Sequence, residues 1–290
     1  MFADLHLHTS FSDGTYTPEE LVAHAQRHGL TGLAVTDHDT VEGCTRMALA
    51  CERAGLEFIP GTELTTELHG QELHLLGYFI DAQNPRLVCQ LAHFQTVRQN
   101  RVREIVARLN KMNIPLEAEA VLAIANCRSP GRPHVGRALV QAGVCSSLDE
   151  AFERFLKSNR PAWVPKTKIS AEDAIQLIHH AGGLAAMAHP ALNHNDSLIP
   201  QLAEAGMDGL ECFHSRHTPA QTKHYLKMAQ PLGLLVTGGS DCHGMNKGEP
   251  LIGSVKLAYE YVERLKTRIQ RLRASPDDVL PGPHPTSTLP

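Results

Sequence analysis

The chain lacks the marks of a secreted or membrane-embedded protein. Its seven cysteines (44, 51, 89, 127, 145, 212 and 242) form no C-x-x-C pair and are odd in number. They fit reduced thiols in a cytoplasmic protein better than a disulfide framework. No basic segment followed by an apolar run opens the chain, so no signal peptide is expected. No apolar run approaches the roughly 18 residues a membrane helix needs. Positive charge is not in excess either: 27 Lys and Arg stand against 31 Asp and Glu, a net charge of −4. That gives no overall pull toward nucleic acid or membrane, so any basic site must be local. Aromatic residues are few, with one Trp and five Tyr, and there is no internal repeat. The 42% hydrophobic and 20% charged content is that of an ordinary soluble globular protein.

Histidine is abundant, with 18 in 290 residues. The chain opens MFADLHLHTSFSDG, with His6 and His8 two apart in a strand-like run. Alternate side chains of a strand share a face, so both imidazoles project the same way. Paired neutral imidazoles are a common way to hold a divalent metal.

Strand-like and helix-like segments alternate over most of the length. ADLHLHT reads as a strand, then TPEELVAHAQRHGL as a helix with Thr17 as N-cap, Pro18 at N1 and Glu20 at N3. LTGLAVTDH and LEFIPGTEL follow as strands around a second helix, and QELHLLGYFI is a further extended run. Alternation resumes with GLAAMAHP, MDGLECFHS and LLVTGGSDCH, each after a helical segment. This predicts parallel strands with helices outside, in a barrel or a doubly wound sheet. Between them, residues 98–165 have helical periodicity and read as an insertion into a body formed by 1–97 and 166–274. The proline-rich stretch 275–290 reads as a disordered tail.

Placed on this map, the polar residues gather. His6, His8 and Asp13 follow the first strand, Asp37 and His38 the second, and Glu63 the third. His74 lies in the next extended run, His189 ends a strand after the insertion, and Asp241 and His243 end the last. These positions are read as the carboxyl ends of strands, where α/β barrels place their active sites. Nine candidate ligands exceed what one ion needs. Imidazole and oxygen donors without thiolates suit Mn²⁺, Zn²⁺ or Fe²⁺, and a carboxylate such as Glu63 can bridge two ions that clamp a hydroxide.

H-x-H, then TDHD, GTE, AHP and SDCH in this order resemble the PHP (polymerase and histidinol phosphatase) family of metal-dependent phosphoesterases, over about 1–97 and 166–260. The resemblance implies an α/β fold, a distorted (β/α)7 TIM-like barrel, with three divalent ions, manganese first among them. One ion would use His6, His8, Glu63 and Asp241; a second Glu63, His74 and His189; a third Asp13, His38 and His243. Some relatives carry histidine where Asp13 stands. Asp37 reads as an orienting residue rather than a ligand. Glu211 divides evenly between ion pair and metal shell and is left outside the ligand set. Cys242 reads as structural, and His93, His179, His180, His214 and His217 as surface or core residues.

The insertion, with NRVREI, SPGRPHVGRAL and FLKSNRPAWVP, resembles bacterial members of the family that act on 3′,5′-nucleotide bisphosphates or 5′-phosphorylated RNA ends. Arg101, Arg132, His134, Lys157 and Arg160 are candidate phosphate holders, since guanidinium forks match phosphate oxygens. Pro133 at a plausible helix N1 offers a plainer reading of Arg132. Asp13 is placed beside the substrate as well as an ion. Trp163, Tyr78 or Phe11 could stack on a base. The expected reaction is removal of the 3′-phosphate of a 3′,5′-bisphosphonucleotide by hydroxide attack in line with the leaving ribose oxygen. Asp241, His38 and His243 form the expected catalytic group, with His243, His38 or a metal-bound water protonating that oxygen. The rival readings are a 5′→3′ exoribonuclease on short RNA, a histidinol-phosphate-type phosphatase, and a non-catalytic metal-bound module assisting a polymerase.

Overall fold

The computed structural model describes residues 1–247 and 249–274; the tail expected at 275–290 lies outside the described residues. The strands are β1 (Phe2–Leu7), β2 (Gly32–Val35), β3 (Glu57–Leu68), β4 (Gln71–Tyr78), β5 (Ile169–Ser170), β6 (Leu184–Met187), β7 (Gly209–His214), β8 (Leu235–Gly239) and β9 (Leu257–Ala258). The helices are α1 (Pro18–Arg27), α2 (Cys44–Ala54), α3 (Pro85–Lys111), α4 (Ala118–Ala125), α5 (Arg132–Gln141), α6 (Leu148–Ala151), α7 (Ala171–His180), α8 (Leu198–Glu204), α9 (Pro219–Ala229) and α10 (Tyr259–Ala274). Thr17 caps α1 in a capping box with Glu20, and Pro18 opens the helix.

The strands lie in the order β8-β7-β6-β4-β3-β2-β1-β9, with β5 beside β3. Beyond β8 the sheet nearly closes on β1. Leu7 bridges Cys242, the His8 amide donates to the Cys242 carbonyl at 3.0 Å, and the Asp241 amide donates to the His6 carbonyl at 2.9 Å. Gly239 permits this approach, since a Cβ there would lie 2.3 Å from the His6 nitrogen. Gly238 serves the other side, where a Cβ would lie 2.6 Å from the Phe213 Cβ of β7. Gly239 thus lets the last strand of this set meet the first, across which Asp241 faces His6 and His8. β2 and β6 are buried on both faces, as parallel strands under helices must be.

Two strands depart from the expected parallel pattern: the short β9 pairs antiparallel with β1, and β4 departs more consequentially. β4 runs antiparallel to both β3 and β6. The cause is the two-residue turn His69–Gly70, both at positive φ (52° and 78°), which folds β3 straight back into a hairpin. Glu63 and His74 therefore sit within long hairpin strands rather than at strand ends.

Residues 98–165 hold the rest of α3, α4, α5, α6 and a π-helical turn at Phe152–Leu156, packed around an apolar cluster of their own. Residue 98 falls inside the continuous helix α3. Leu87 and Leu91 of that helix pack into the barrel's cluster, while Val102, Ile105, Val106 and Leu109 pack into the second. One helix thus ties both cores together.

Candidate metal centre

The nine histidine and carboxylate residues, spread over 238 positions of sequence, meet at one end of the barrel. His6 Nε2 and His8 Nε2 each lie 3.3–3.5 Å from Glu63 Oε2 and from Asp241 Oδ1. The other oxygen of Glu63 lies 2.7 Å from His74 Nδ1 and 3.1 Å from His189 Nε2. Asp13 Oδ1 lies 3.2 Å from His243 Nε2, 3.9 Å from His38 Nε2 and 4.0 Å from His8 Nδ1. These are three donor sets, and Glu63 belongs to two of them through different oxygens. His38 lies between sets: its Nδ1 is 3.0 Å from Glu63 Oε2.

The electrostatics suit a cation. Burial pushes the His6 and His8 imidazoles down, but nearby carboxylates outweigh it. Glu211, Asp241 and Glu63 hold His6 well above the usual imidazole value, and Asp241 and Glu63 hold His8 up at about 10. Burial likewise pushes Asp13, Glu63 and Asp241 up, and the surrounding imidazoles prevail, keeping all three well below the carboxylate range. For His38 burial wins, and its ring is held well below its ordinary value. His6 Nε2, both nitrogens of His8, Asp13 Oδ1, His38 Nδ1 and Glu63 Oε2 are buried without a hydrogen-bond partner. Buried polar atoms are normally paired. Here they converge on one another, as ligands around a divalent ion do, and the oxygen and imidazole donor set matches Mn²⁺, Fe²⁺ or Zn²⁺.

Around these donors the scaffold is specific. The Asp37 carboxylate accepts from the Thr9 amide (2.7 Å), the Thr9 hydroxyl (2.5 Å) and the Ser12 hydroxyl (2.5 Å), fixing the turn that carries Asp13. His189 and Asp241 have positive φ (31° and 54°), a backbone strain kept where the surroundings over-determine it. Cys242 points away from the centre into the core around Leu7. His214 is buried, with Nε2 at 3.6 Å from Asp241 Oδ2.

A cavity of about 550 Å³ opens from the donors toward the insertion, with Arg98, Arg101, Arg132, Lys157, Lys166 and Arg216 on its walls together with Phe152, Leu148 and Pro133. Of the phosphate holders expected from sequence, Arg101, Arg132 and Lys157 reach it; two others do not line it. The His134 ring turns back to accept the Gly131 amide at 2.9 Å, capping its own helix, and burial lowers it to about 4. Arg160 is exposed and pairs with Glu153 at 3.5 Å. The stacking candidates are displaced as well. Tyr78 is wholly buried in the core, and neither Trp163 nor Phe11 lines the cavity, whose aromatic wall is Phe152. Sequence reasoning passed over Arg98, Lys166 and Arg216. Arg98 pairs with Asp39 at 2.6 Å, and Lys166 pairs with Glu72 at 2.8 Å while lying 3.5 Å from His74 Nε2. No described helix is long and apolar enough to cross a membrane.

Comparison with known proteins agrees with this geometry. The PHP domain model matches residues 4–162. The 5′-3′ exoribonuclease Rnm of Escherichia coli is 34% identical over 248 residues, covering 83% of this chain and 84% of that protein. The 3′,5′-nucleoside bisphosphate phosphatase of Chromobacterium violaceum is 31% identical over 258 residues, covering 86% and 90%. A crystal structure of a candidate metal-dependent phosphoesterase from Bifidobacterium adolescentis superposes with a TM-score of 0.85 at 34% identity, covering 92% of this chain and 96% of that one. The chain belongs to the PHP-domain family of metal-dependent phosphoesterases.

Proposed function

We propose that this PHP-domain phosphoesterase removes the 3′-phosphate of 3′,5′-bisphosphonucleotides, such as adenosine 3′,5′-bisphosphate, leaving the 5′-monophosphate. The observation that carries the reading is the pair Arg101 and Arg132. Both face the cavity, and their bonds among the described residues go to the carbonyls of Val164 (2.8 and 2.9 Å) and Leu156 (3.2 Å), not to carboxylates. Guanidinium charge left unneutralised beside a metal centre suits a second phosphate, one that is held and not cleaved. The cavity volume is that of a site for one small ligand.

Three ions, with Mn²⁺ preferred and Zn²⁺ or Fe²⁺ as alternatives, would be held by His6, His8, Glu63 and Asp241; by Glu63, His74 and His189; and by Asp13, His38 and His243. Bound there, divalent ions supply Lewis acidity and a nucleophile active near neutral pH. The chain's residues do the rest. Glu63 fixes the spacing of two donor sets by sharing its oxygens, and Asp13 stands between the third set and the cavity. Arg101, Arg132, Lys157 and Lys166 anchor the 5′-phosphate in the insertion, so that the 3′-phosphoryl group rests at the donors. His38, kept neutral by burial, suits a lone-pair ligand, and His243, whose Nδ1 lies 3.0 Å from the Asp241 carbonyl, turns its Nε2 toward Asp13 as a ligand would.

A second reading, 5′→3′ trimming of short RNA, breaks the same bond between phosphorus and the 3′-oxygen; only the rest of the phosphoryl group differs. It is supported by the 34% identity to the 5′-3′ exoribonuclease Rnm of Escherichia coli. The −4 net charge does not favour a long groove. Phosphate release by the Mn²⁺-loaded protein from adenosine 3′,5′-bisphosphate, beside 5′-phosphorylated oligoribonucleotides and histidinol phosphate, tests the proposal. Preferential turnover of the bisphosphate, lost in His8→Ala, is expected. Stepwise release of mononucleotides at a higher kcat/KM would replace it with the exoribonuclease reading.

A further inference from the structure

Glu211, in β7, is a fully buried carboxylate far in sequence from most of the donors. Its Oε1 lies 3.0 Å from His6 Nδ1, and its Oε2 accepts the His189 backbone amide at 2.7 Å while lying 3.2 Å from the same His6 nitrogen. His6 and His189 belong to different donor sets. His189 is also a residue at positive φ, so its backbone needs a fixed partner to keep the ring aimed at Glu63. We propose that Glu211 is a positioning residue serving two ions at once: one oxygen sets the His6 tautomer, and the other locks the His189 backbone.

This role rests on the metal reading above. With its Nδ1–H donated to Glu211, His6 presents the lone pair of Nε2 to Glu63 and Asp241, 3.5 Å away in each case. The other tautomer would put a proton where the cation belongs. A carboxylate offers acceptor oxygens to both partners at once. A glutamine of the same shape has one. If its NH₂ takes the Oε1 place, it sets a donor 3.0 Å from His6 Nδ1, against the proton that belongs there, and leaves only the longer 3.2 Å contact to accept it. If it faces His189, it sets two donors against each other. Glu211→Gln therefore preserves volume and packing while breaking one function or the other. A residue that merely fills space would tolerate the change.

The test is Mn²⁺ binding by the full-length protein, followed by electron paramagnetic resonance and by elemental analysis after gel filtration. Glu211→Gln is expected to weaken Mn²⁺ binding about 10–100-fold, as loss of an orienting partner typically does, and to lower retained metal per chain, with the melting temperature in chelator close to wild type. Affinity within twofold of wild type would overturn the assignment. A readout that needs no variant is nitrogen-15 NMR of the Zn²⁺-loaded wild-type protein. His6 should show a protonated Nδ1 with a strongly downfield proton; a protonated Nε2 would refute the proposal even if the variant failed to fold. A wild-type protein that binds no divalent ion would remove the metal reading and this inference together. Metal-binding wild type beside an unchanged Glu211→Gln removes only the inference.

Discussion

The barrel and the insertion solve opposite problems with charged residues. In the barrel, His6, His8, Asp13, His38 and Glu63 come from separate segments, and buried atoms of each (His6 Nε2, both His8 nitrogens, Asp13 Oδ1, His38 Nδ1 and Glu63 Oε2) converge without a hydrogen-bond partner. In the insertion, the charged groups belong to one small helical unit with its own apolar cluster, and most already have partners: Arg101 with Val164, Lys157 with Glu153, Arg132 with Leu156. The first arrangement leaves donor atoms unpaired that a cation would satisfy. The second is stable alone and turns its spare cationic valence toward the cavity. Under the proposed function, bond cleavage would belong to the barrel and choice of substrate to the insertion.

The harshest way to break that contrast is at Glu63. Glu63→Gln removes a shared charge from two donor sets, and kcat should fall at least about 1,000-fold, roughly 4 kcal/mol of transition-state stabilisation, on bisphosphates and on aryl phosphates alike. Metal content measured on the same samples should fall with it. An Mn²⁺-replete Glu63→Gln with near-normal turnover would separate the barrel from the chemistry.

The insertion should respond to pH by itself. Burial, helped by Arg137, lowers His134 to about 4, against 6.5 for a free imidazole. Between those values an unfolded insertion takes up a proton that the folded one refuses. Its stability is therefore full above pH 6.5 and declines as pH falls toward 4, by at most about 3 kcal/mol. Hydrogen exchange in α4 and α5 should accelerate across that window, and His134→Gln should flatten the dependence. Acceleration confined to the barrel strands would contradict the assignment of this sensitivity to the insertion.

Arg132→Ala acts on selectivity. Losing a charge-assisted contact costs about 1.5–3 kcal/mol, so kcat/KM for adenosine 3′,5′-bisphosphate should drop about 10–100-fold while that for a simple aryl phosphate barely changes. An equal loss on both substrates would move Arg132 from gripping substrate to supporting the fold.

How much of this was legible beforehand follows from the range of the interactions. The alternation that puts His6 and His8 on one face, the capping box at Thr17 and Glu20, and the order of the histidine motifs are local and can be read from neighbours. The antiparallel return of β4 was missed because a His-Gly turn is a weak signal beside a strong βαβ rhythm. Glu211 stays balanced between ion pair and metal shell until the barrel brings it beside a histidine 205 residues away. Arg98 and Lys166 escape a local reading because basic residues on a helix or in a loop usually face solvent; the packing of α3 across both cores turns Arg98 into the cavity, and Lys166 lines it from the segment before β5. His134 was read for its charge, whereas its place three residues after Gly131 makes it a cap.

The smallest expected effect lies where the two regions meet. Ser129, a wholly buried residue of the insertion, donates its hydroxyl to the His38 carbonyl at 2.5 Å, and the Cys127 thiol reaches the Ser12 carbonyl at 3.1 Å. The insertion thus presses on the two loops that carry His38 and Asp13. Ser129→Ala leaves a buried carbonyl unpaired at a cost of about 1 kcal/mol, a factor of about 5 if all of it appears in the rate. Because the bond acts on the donor loops and not on the phosphate anchor, that loss should be the same for bisphosphate and aryl phosphate, unlike that of Arg132→Ala. A loss confined to bisphosphates would mean that the seam only holds the insertion in place. An equal loss on both would show that the specificity unit also steadies the chemistry it does not perform.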